Sequence, residues 1–218
     1  MQDPSLVENY QKILKKLPSD VQLVAVSKTH SVEEIQEIYD EGQRVFGENK
    51  VQELVEKYEL LPKDIQWHLI GHLQTNKVRY IASFVDTIQS VDSSKILKEI
   101  NKEAEKNDRK IKILLQVKIA EEDSKYGLSI EEAKVIYQGI KENIYPFVIF
   151  SGLMGMATFT EDTDQLKQEF SILEDLFDEL NLDKTKHTLS MGMSGDYETA
   201  IECGANSVRV GSAIFGSR

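Results

Sequence analysis

The sequence predicts an α/β protein folded as a single (β/α)8 barrel, and three observations carry that expectation. Eight short apolar strands begin near Gln22, Arg44, Gln66, Thr87, Lys112, Phe147, Lys186 and Ser207. Amphipathic helical segments alternate with them, and no Pro/Gly/Ser-rich linker marks a domain boundary. The 218 residues suit one large domain better than two, so residues 1–218 are expected to form one unit. A doubly wound open sheet shares the same alternation and stays open as an alternative, because period alone does not establish closure.

The elements follow in order. An extra helix, roughly Leu6 to Leu17, precedes the first strand and is expected to plug or flank the barrel. The first strand ends in Val24-Ala25-Val26 and delivers Ser27-Lys28-Thr29-His30. The capping box Ser31-Val32-Glu33-Glu34 then opens a helix whose apolar face holds Ile35, Ile38 and Tyr39. Strand two delivers Phe46-Gly47-Glu48-Asn49, and strand three His68-Leu69-Ile70-Gly71-His72. Ile96, Leu97 and Ile100 mark a later helix, and Ser129-Ile130-Glu131-Glu132 caps another. After strand seven, Ser190-Met191-Gly192-Met193-Ser194-Gly195-Asp196 runs into a helix expected to begin near Ser194. Strand eight ends in Arg209-Val210-Gly211-Ser212-Ala213.

Composition narrows the function classes. A net charge of -11 disfavours nucleic acid and anionic membrane surfaces, so any phosphate site must be local. The lone Cys203 excludes an internal disulfide, fits a reducing compartment, and is expected to pack on a helix. Met1-Gln2-Asp3-Pro4-Ser5 lacks a basic and apolar leader pattern, and no later stretch approaches a membrane span. The chain therefore reads as cytoplasmic.

In a barrel of this kind the active residues lie just after the strands, with phosphate held by the last two loops. Lys28 stands at the first of these positions. A lysine there is either an ordinary solvated charge or an amine positioned to form a Schiff base. Ser194, Gly211 and Ser212 supply hydroxyls and close backbone approach for a phosphate, aided by the positive end of the helix dipole. Alternatively, Ser194 only caps its helix and the glycines only turn the chain. Strand alternation turns Arg209 into the barrel, where it meets a ligand acceptor or a neighbouring carboxylate. His68 and His72 lack the spacing of a helical zinc motif; structural hydrogen bonds and no metal are expected. No G-x-S-x-G nucleophile elbow is present.

Seven motifs together resemble one family. They are Ala25-Val26-Ser27-Lys28-Thr29, Phe46-Gly47-Glu48-Asn49-Lys50-Val51-Gln52-Glu53, the run from Trp67 to Lys77, Ser124-Lys125-Tyr126-Gly127, Ser151-Gly152-Leu153-Met154, Leu189 to Ser194, and Val208 to Gly216. The chain is similar to the pyridoxal-phosphate homeostasis proteins, small relatives of the alanine racemase barrel. The resemblance implies that Lys28 forms the internal aldimine with pyridoxal 5'-phosphate and that Arg209 faces the pyridine nitrogen. It implies a phosphate held by Ser194, Gly211 and Ser212, with Ser190 or Gly192 beside them, Asn49 near the ring, and Lys125 as an auxiliary position. The pattern departs from many relatives in two places. His30 replaces a second lysine, and the sequence stops at Arg218 without a basic tail.

The same resemblance bears on turnover. An arginine at the ring nitrogen weakens the cofactor as an electron sink without abolishing it. The related racemases carry a second, β-rich domain that completes the site, and this sequence ends where that domain would begin. The expectation is a monomeric cofactor binder that buffers pyridoxal phosphate and passes it to apo-enzymes, without robust turnover. A racemase or lyase on amino acids, and a Schiff-base aldolase for a phosphorylated sugar, remain the alternatives.

Overall fold

A computed structural model of the protein describes residues 5–121 and 126–216. The strands are β1 (Gln22–Val26), β2 (Val45–Glu48), β3 (Gln66–Leu69), β4 (Thr87–Val91), β5 (Ile111–Gln116), β6 (Val148–Met154), β7 (Thr188–Ser190) and β8 (Ser207–Val210). All pair in parallel with their sequence neighbours, and β8 returns to β1 with Gln22 opposite Ser207 and Ala25 opposite Val210. That last pairing closes the barrel and removes the open-sheet alternative.

Outside the strands lie α1 (Leu6–Lys16), α2 (Val32–Asp40), α3 (Val51–Leu60), α4 (Ser94–Lys106), α5 (Ile130–Lys141), α6 (Thr163–Glu179), α7 (Tyr197–Glu202) and α8 (Ser212–Phe215). The boxes foreseen at Ser31 and Ser129 both form, with each serine accepting from the N3 amide and Glu34 or Glu132 reaching back. A third box opens α1. Glu8 N donates to Ser5 Oγ at 3.2 Å and Ser5 N donates to Glu8 Oε2 at 3.0 Å. The sequence signal, Ser5-Leu6-Val7-Glu8, has the same form.

The leading helix flanks the barrel rather than plugging it. It buries Tyr10 and Ile13 and packs on α2 and α8, with Tyr10 Oη donating to Gln43 Oε1 at 3.1 Å. One expected helix is missing. Between β3 and β4 the chain makes only a 3₁₀ helix, Thr75–Tyr80, closed by bonds such as Ile81 N to Val78 O at 3.1 Å.

Between barrel and helices lies a continuous apolar layer. Ile35, Ile38, Ile96, Leu97 and Ile100 are buried there, as the helical spacing predicts, with Trp67 and Phe46 at ring-centroid separation 5.9 Å. Val208 and Val210 join this layer, which turns Arg209 inward. Strand β6 shifts register against β5 between Phe150 and Gly152, and Gly152 has φ +141°. A Cβ there would lie 1.9 Å from Thr188 O, so only glycine lets β6 and β7 pair so closely.

Candidate functional site

A cavity of about 1000 Å³ opens where the strands end, lined by Lys28, Asn49, Ser194, Arg209, Gly211 and Ser212. Six of the seven residues expected to hold a cofactor therefore line one cavity. Ser190 does not. It is fully buried beneath the cavity, accepting from Arg209 Nη1 at 2.6 Å and donating to Gln89 Oε1 at 2.7 Å. Strand alternation accounts for this, since the last residue of β7 points its hydroxyl into the barrel interior. Gly192 is also turned away, because a Cβ on it would meet Ala200 and Tyr197 of α7.

Lys28 leaves the end of β1 on a turn closed by His30 N donating to Ser27 O at 3.1 Å. The residue is half-buried, and among the described residues its amine meets no hydrogen-bond or ion-pair partner. His30 lines the same cavity. Its ring stacks on Phe215 at 4.6 Å, and Nδ1 lies 3.2 Å from Glu34 Oε1.

The loop after β7 differs from expectation. The following helix begins at Tyr197, not near Ser194, and spans only six residues. Asp196 turns its carboxylate back to Met193 N at 2.5 Å. Ser194 reaches across to the next loop instead of capping, and its Oγ accepts from Gly211 N at 3.1 Å and Ala213 N at 3.3 Å. Two backbone amides at the start of α8 thus converge on one oxygen at the cavity wall. That is the donor arrangement a phosphate oxygen needs. Gly211 itself is fixed by packing, since a Cβ would meet Val26 O at 3.1 Å.

Among the described residues no ion pair joins Arg209 to a carboxylate. Its guanidinium donates to Ser190 Oγ at 2.6 Å and to Gly155 O at 2.9 Å. Burial pushes its pKa down to about 10, against the charge of Asp196, so it remains a cationic donor at neutral pH. The polar chain continues across the barrel, from Ser190 to Gln89 and then to His68 Nδ1 at 2.9 Å. Asp86 Oδ2 lies 3.6 Å beyond, at His68 Nε2. Burial alone would raise the Asp86 carboxyl, but the nearby His68 ring and the hydrogen bond from Thr87 hold it well below the usual range. His68 is therefore a structural residue of this chain, as the sequence suggested.

On the opposite wall, a Cβ at Gly71 would lie 2.3 Å from Asn49 O, so that glycine brings the β3 loop against Asn49. His72 accompanies it into the cavity wall, its Nδ1 2.8 Å from Asp92 Oδ2 and its ring stacked on Tyr126 at 4.3 Å. Lys125 lies outside the described residues. Sequence reasoning missed the buried group of Ser27, Glu48 and Lys57, and also Gln89. The Glu53–Lys57 spacing of four was a visible signal, as was Gln89 alternating with Ile88 inside a strand.

Residues 4–218 match the family model described as "Alanine racemase, N-terminal domain". The chain belongs to this family. Within the alanine racemase N-terminal domain family it is similar to the pyridoxal phosphate homeostasis protein of Pasteurella multocida. Identity to that relative is 39% over 210 residues, covering 94% of this chain and 89% of the relative. Among solved structures it is similar to PipY of Synechococcus elongatus, with TM-score 0.88, 34% identity, and coverage of 97% of this chain and 100% of PipY. PipY has also been solved with pyridoxal phosphate bound, and that structure gives TM-score 0.87 and 33% identity. An alanine racemase of Clostridium difficile shares the fold at TM-score 0.79 and 15% identity; this chain spans 56% of its length.

Proposed function

We propose that this chain binds pyridoxal 5'-phosphate through Lys28 and serves the intracellular homeostasis of that cofactor, buffering it and releasing it to apo-enzymes. The reading takes residues 1–218 as one cofactor-binding unit, a monomer in the cytoplasm. One observation carries it: a lysine amine with no partner among the described residues lines the same cavity as Ser194, on whose oxygen two backbone amides already converge.

The residues present fit the cofactor. When bound, it supplies an aldehyde that condenses with amines and a ring that spreads negative charge. Lys28 provides the amine. Ser194, Ser212 and the amides of Gly211 and Ala213 suit the phosphate. Asn49 would lie near the ring, and Arg209 would offer a donor, not a proton, to the ring nitrogen. That donor would weaken the ring as an electron sink without abolishing it, so it does not by itself exclude turnover. The similarity to PipY and to homeostasis proteins supports the same reading.

The test is borohydride reduction of the protein loaded with pyridoxal phosphate, followed by peptide mapping. A pyridoxyl group on the Lys28 peptide, absent in Lys28→Ala, is expected; label elsewhere or none overturns the proposal. Faster activation of a cofactor-free apo-enzyme than from a non-specific carrier tests the release step.

A racemase or lyase is the second reading. The His72–Asp92 pair favours it, since a carboxylate orienting an imidazole at a cavity wall can serve as acid or base. Solvent deuterium entering Cα of free amino acids, and lost in His72→Ala, would establish it.

A further inference from the structure

The backbone on both sides of Lys28 is gripped by one helix. Lys57, in the second turn of α3, donates to Ser27 O at 2.7 Å, the carbonyl preceding Lys28. Glu53, one turn earlier on the same face, accepts the amide of Thr29, the residue following Lys28. The two grips are joined, because Lys57 Nζ also lies 2.7 Å from Glu53 Oε1. A second carboxylate anchors Lys57 from below. Glu48 Oε1 accepts from Lys57 Nζ at 2.7 Å and from Ser27 Oγ at 2.6 Å, and Glu48 is fully buried.

The turn needs this support. Thr29 has φ +67°, a left-handed conformation that a β-branched residue resists. An acceptor fixed at its amide holds the turn in that conformation. The arrangement is costly in itself, since Lys57 and Glu48 are both removed from water. Generic packing of α3 on the barrel does not require it, because Leu54 already supplies an apolar contact there.

We propose that Glu53 and Lys57 are positioning residues for Lys28. They fix the turn from which its amine is presented, and so set the rate and extent of covalent cofactor attachment. This inference rests on the cofactor-binding reading above. In the step they serve, the neutral Lys28 Nζ bonds to the aldehyde carbon, and the aldehyde oxygen leaves as water with the two amine hydrogens.

The experiment separates attachment from docking. Lys57→Met would strand the buried Glu48 carboxylate and threaten the fold, so Glu53 is the residue to change; its side chain is 21% exposed. Wild type, Glu53→Ala and Glu53→Gln are compared by the visible band that pyridoxal phosphate develops on Lys28. They are also compared by calorimetric affinity for pyridoxine 5'-phosphate, which carries an alcohol in place of the aldehyde. Glu53→Ala is expected to slow attachment roughly tenfold or more, as misplacement of a reacting group does. Its affinity for the alcohol should stay within about twofold of wild type, because no phosphate contact changes. Glu53→Gln retains an acceptor for the Thr29 amide and should restore most of the rate. Unchanged attachment in Glu53→Ala, or an equal loss for both ligands, overturns the inference. A wild-type protein that develops no band overturns the cofactor reading itself.

Discussion

Arg209 and Ser190 are locked together at the floor of the cavity. The guanidinium donates to the serine hydroxyl over 2.6 Å, and that hydroxyl donates onward to Gln89 over 2.7 Å. Strands β7 and β4 are not neighbours in the barrel, so the second bond spans the barrel interior. The cation is thereby held from below.

Ser190→Ala removes the shared atom and leaves both Arg209 and Gln89 short of a buried partner. Losing hydrogen bonds to a buried charge costs about 1–3 kcal/mol. Urea unfolding should show a fall of that size with an unchanged dependence on denaturant. No loss would mean that water replaces the hydroxyl without cost.

The far end of the chain gives a pH dependence. Asp86 is held below its ordinary pKa by His68 and Thr87, so the unfolded chain binds a proton there at pH values where the folded protein does not. Its stabilisation is complete above the ordinary carboxylate pKa of about 4 and is lost as pH falls below it toward the depressed folded value. Asp86→Asn should therefore be less stable at neutral pH and lose less on acidification. Thermal melts from pH 7 to pH 3 measure the difference in slope.

Gly152→Ala tests the barrel geometry. Its Cβ would fall 1.9 Å from Thr188 O in a backbone conformation with φ +141°. Neither strand end can yield without breaking the β6–β7 pairing, so destabilisation on the order of 3 kcal/mol or more is expected by chemical denaturation.

Cys203 caps the C-terminus of α7 and is half-buried. Burial, and then the charge of Glu174, push its thiol above the ordinary value. Because the thiolate is the reactive form, iodoacetamide labelling at neutral pH should be slower than for a free thiol. Its rate should still be rising with pH where a free thiol has levelled off.

Fold class and strand positions were legible because both faces of a parallel barrel impose simple rules. Apolar runs mark the strands, and helices show their spacing at Ile35 and Ile38 or Ile96 and Ile100. Starts are marked by capping serines. The site was legible to the extent that a residue's position after its strand sufficed, as for Lys28 and Asn49, which follow β1 and β2 and line the one cavity. It failed where direction mattered. Ser190 ends β7 and Ser194 lies four residues on in the following loop, yet one points into the interior and the other across to Gly211. The Ser27–Glu48–Lys57 group was hidden for a different reason. Charged residues in a helix ordinarily face solvent, and the Glu53–Lys57 spacing of four marks a pair on one helix face without saying that Lys57 turns inward.

The links from Arg209 to Asp86 have a single polarity. Arg209 can only donate, Ser190 passes its own hydrogen to Gln89, and the Gln89 amide donates to His68 Nδ1, leaving the His68 Nε2 hydrogen directed at Asp86. A carboxylate in place of Arg209 would ask the serine to point its hydrogen the other way. The glutamine would then have to flip, and the histidine to change tautomer and give up its acid partner. Converting this pocket to one that protonates its ligand's ring is therefore a change of four residues acting together, not one. The hydrogen-bond direction set at Asp86, on the opposite side of the barrel, makes the present chemistry difficult to leave by single mutations.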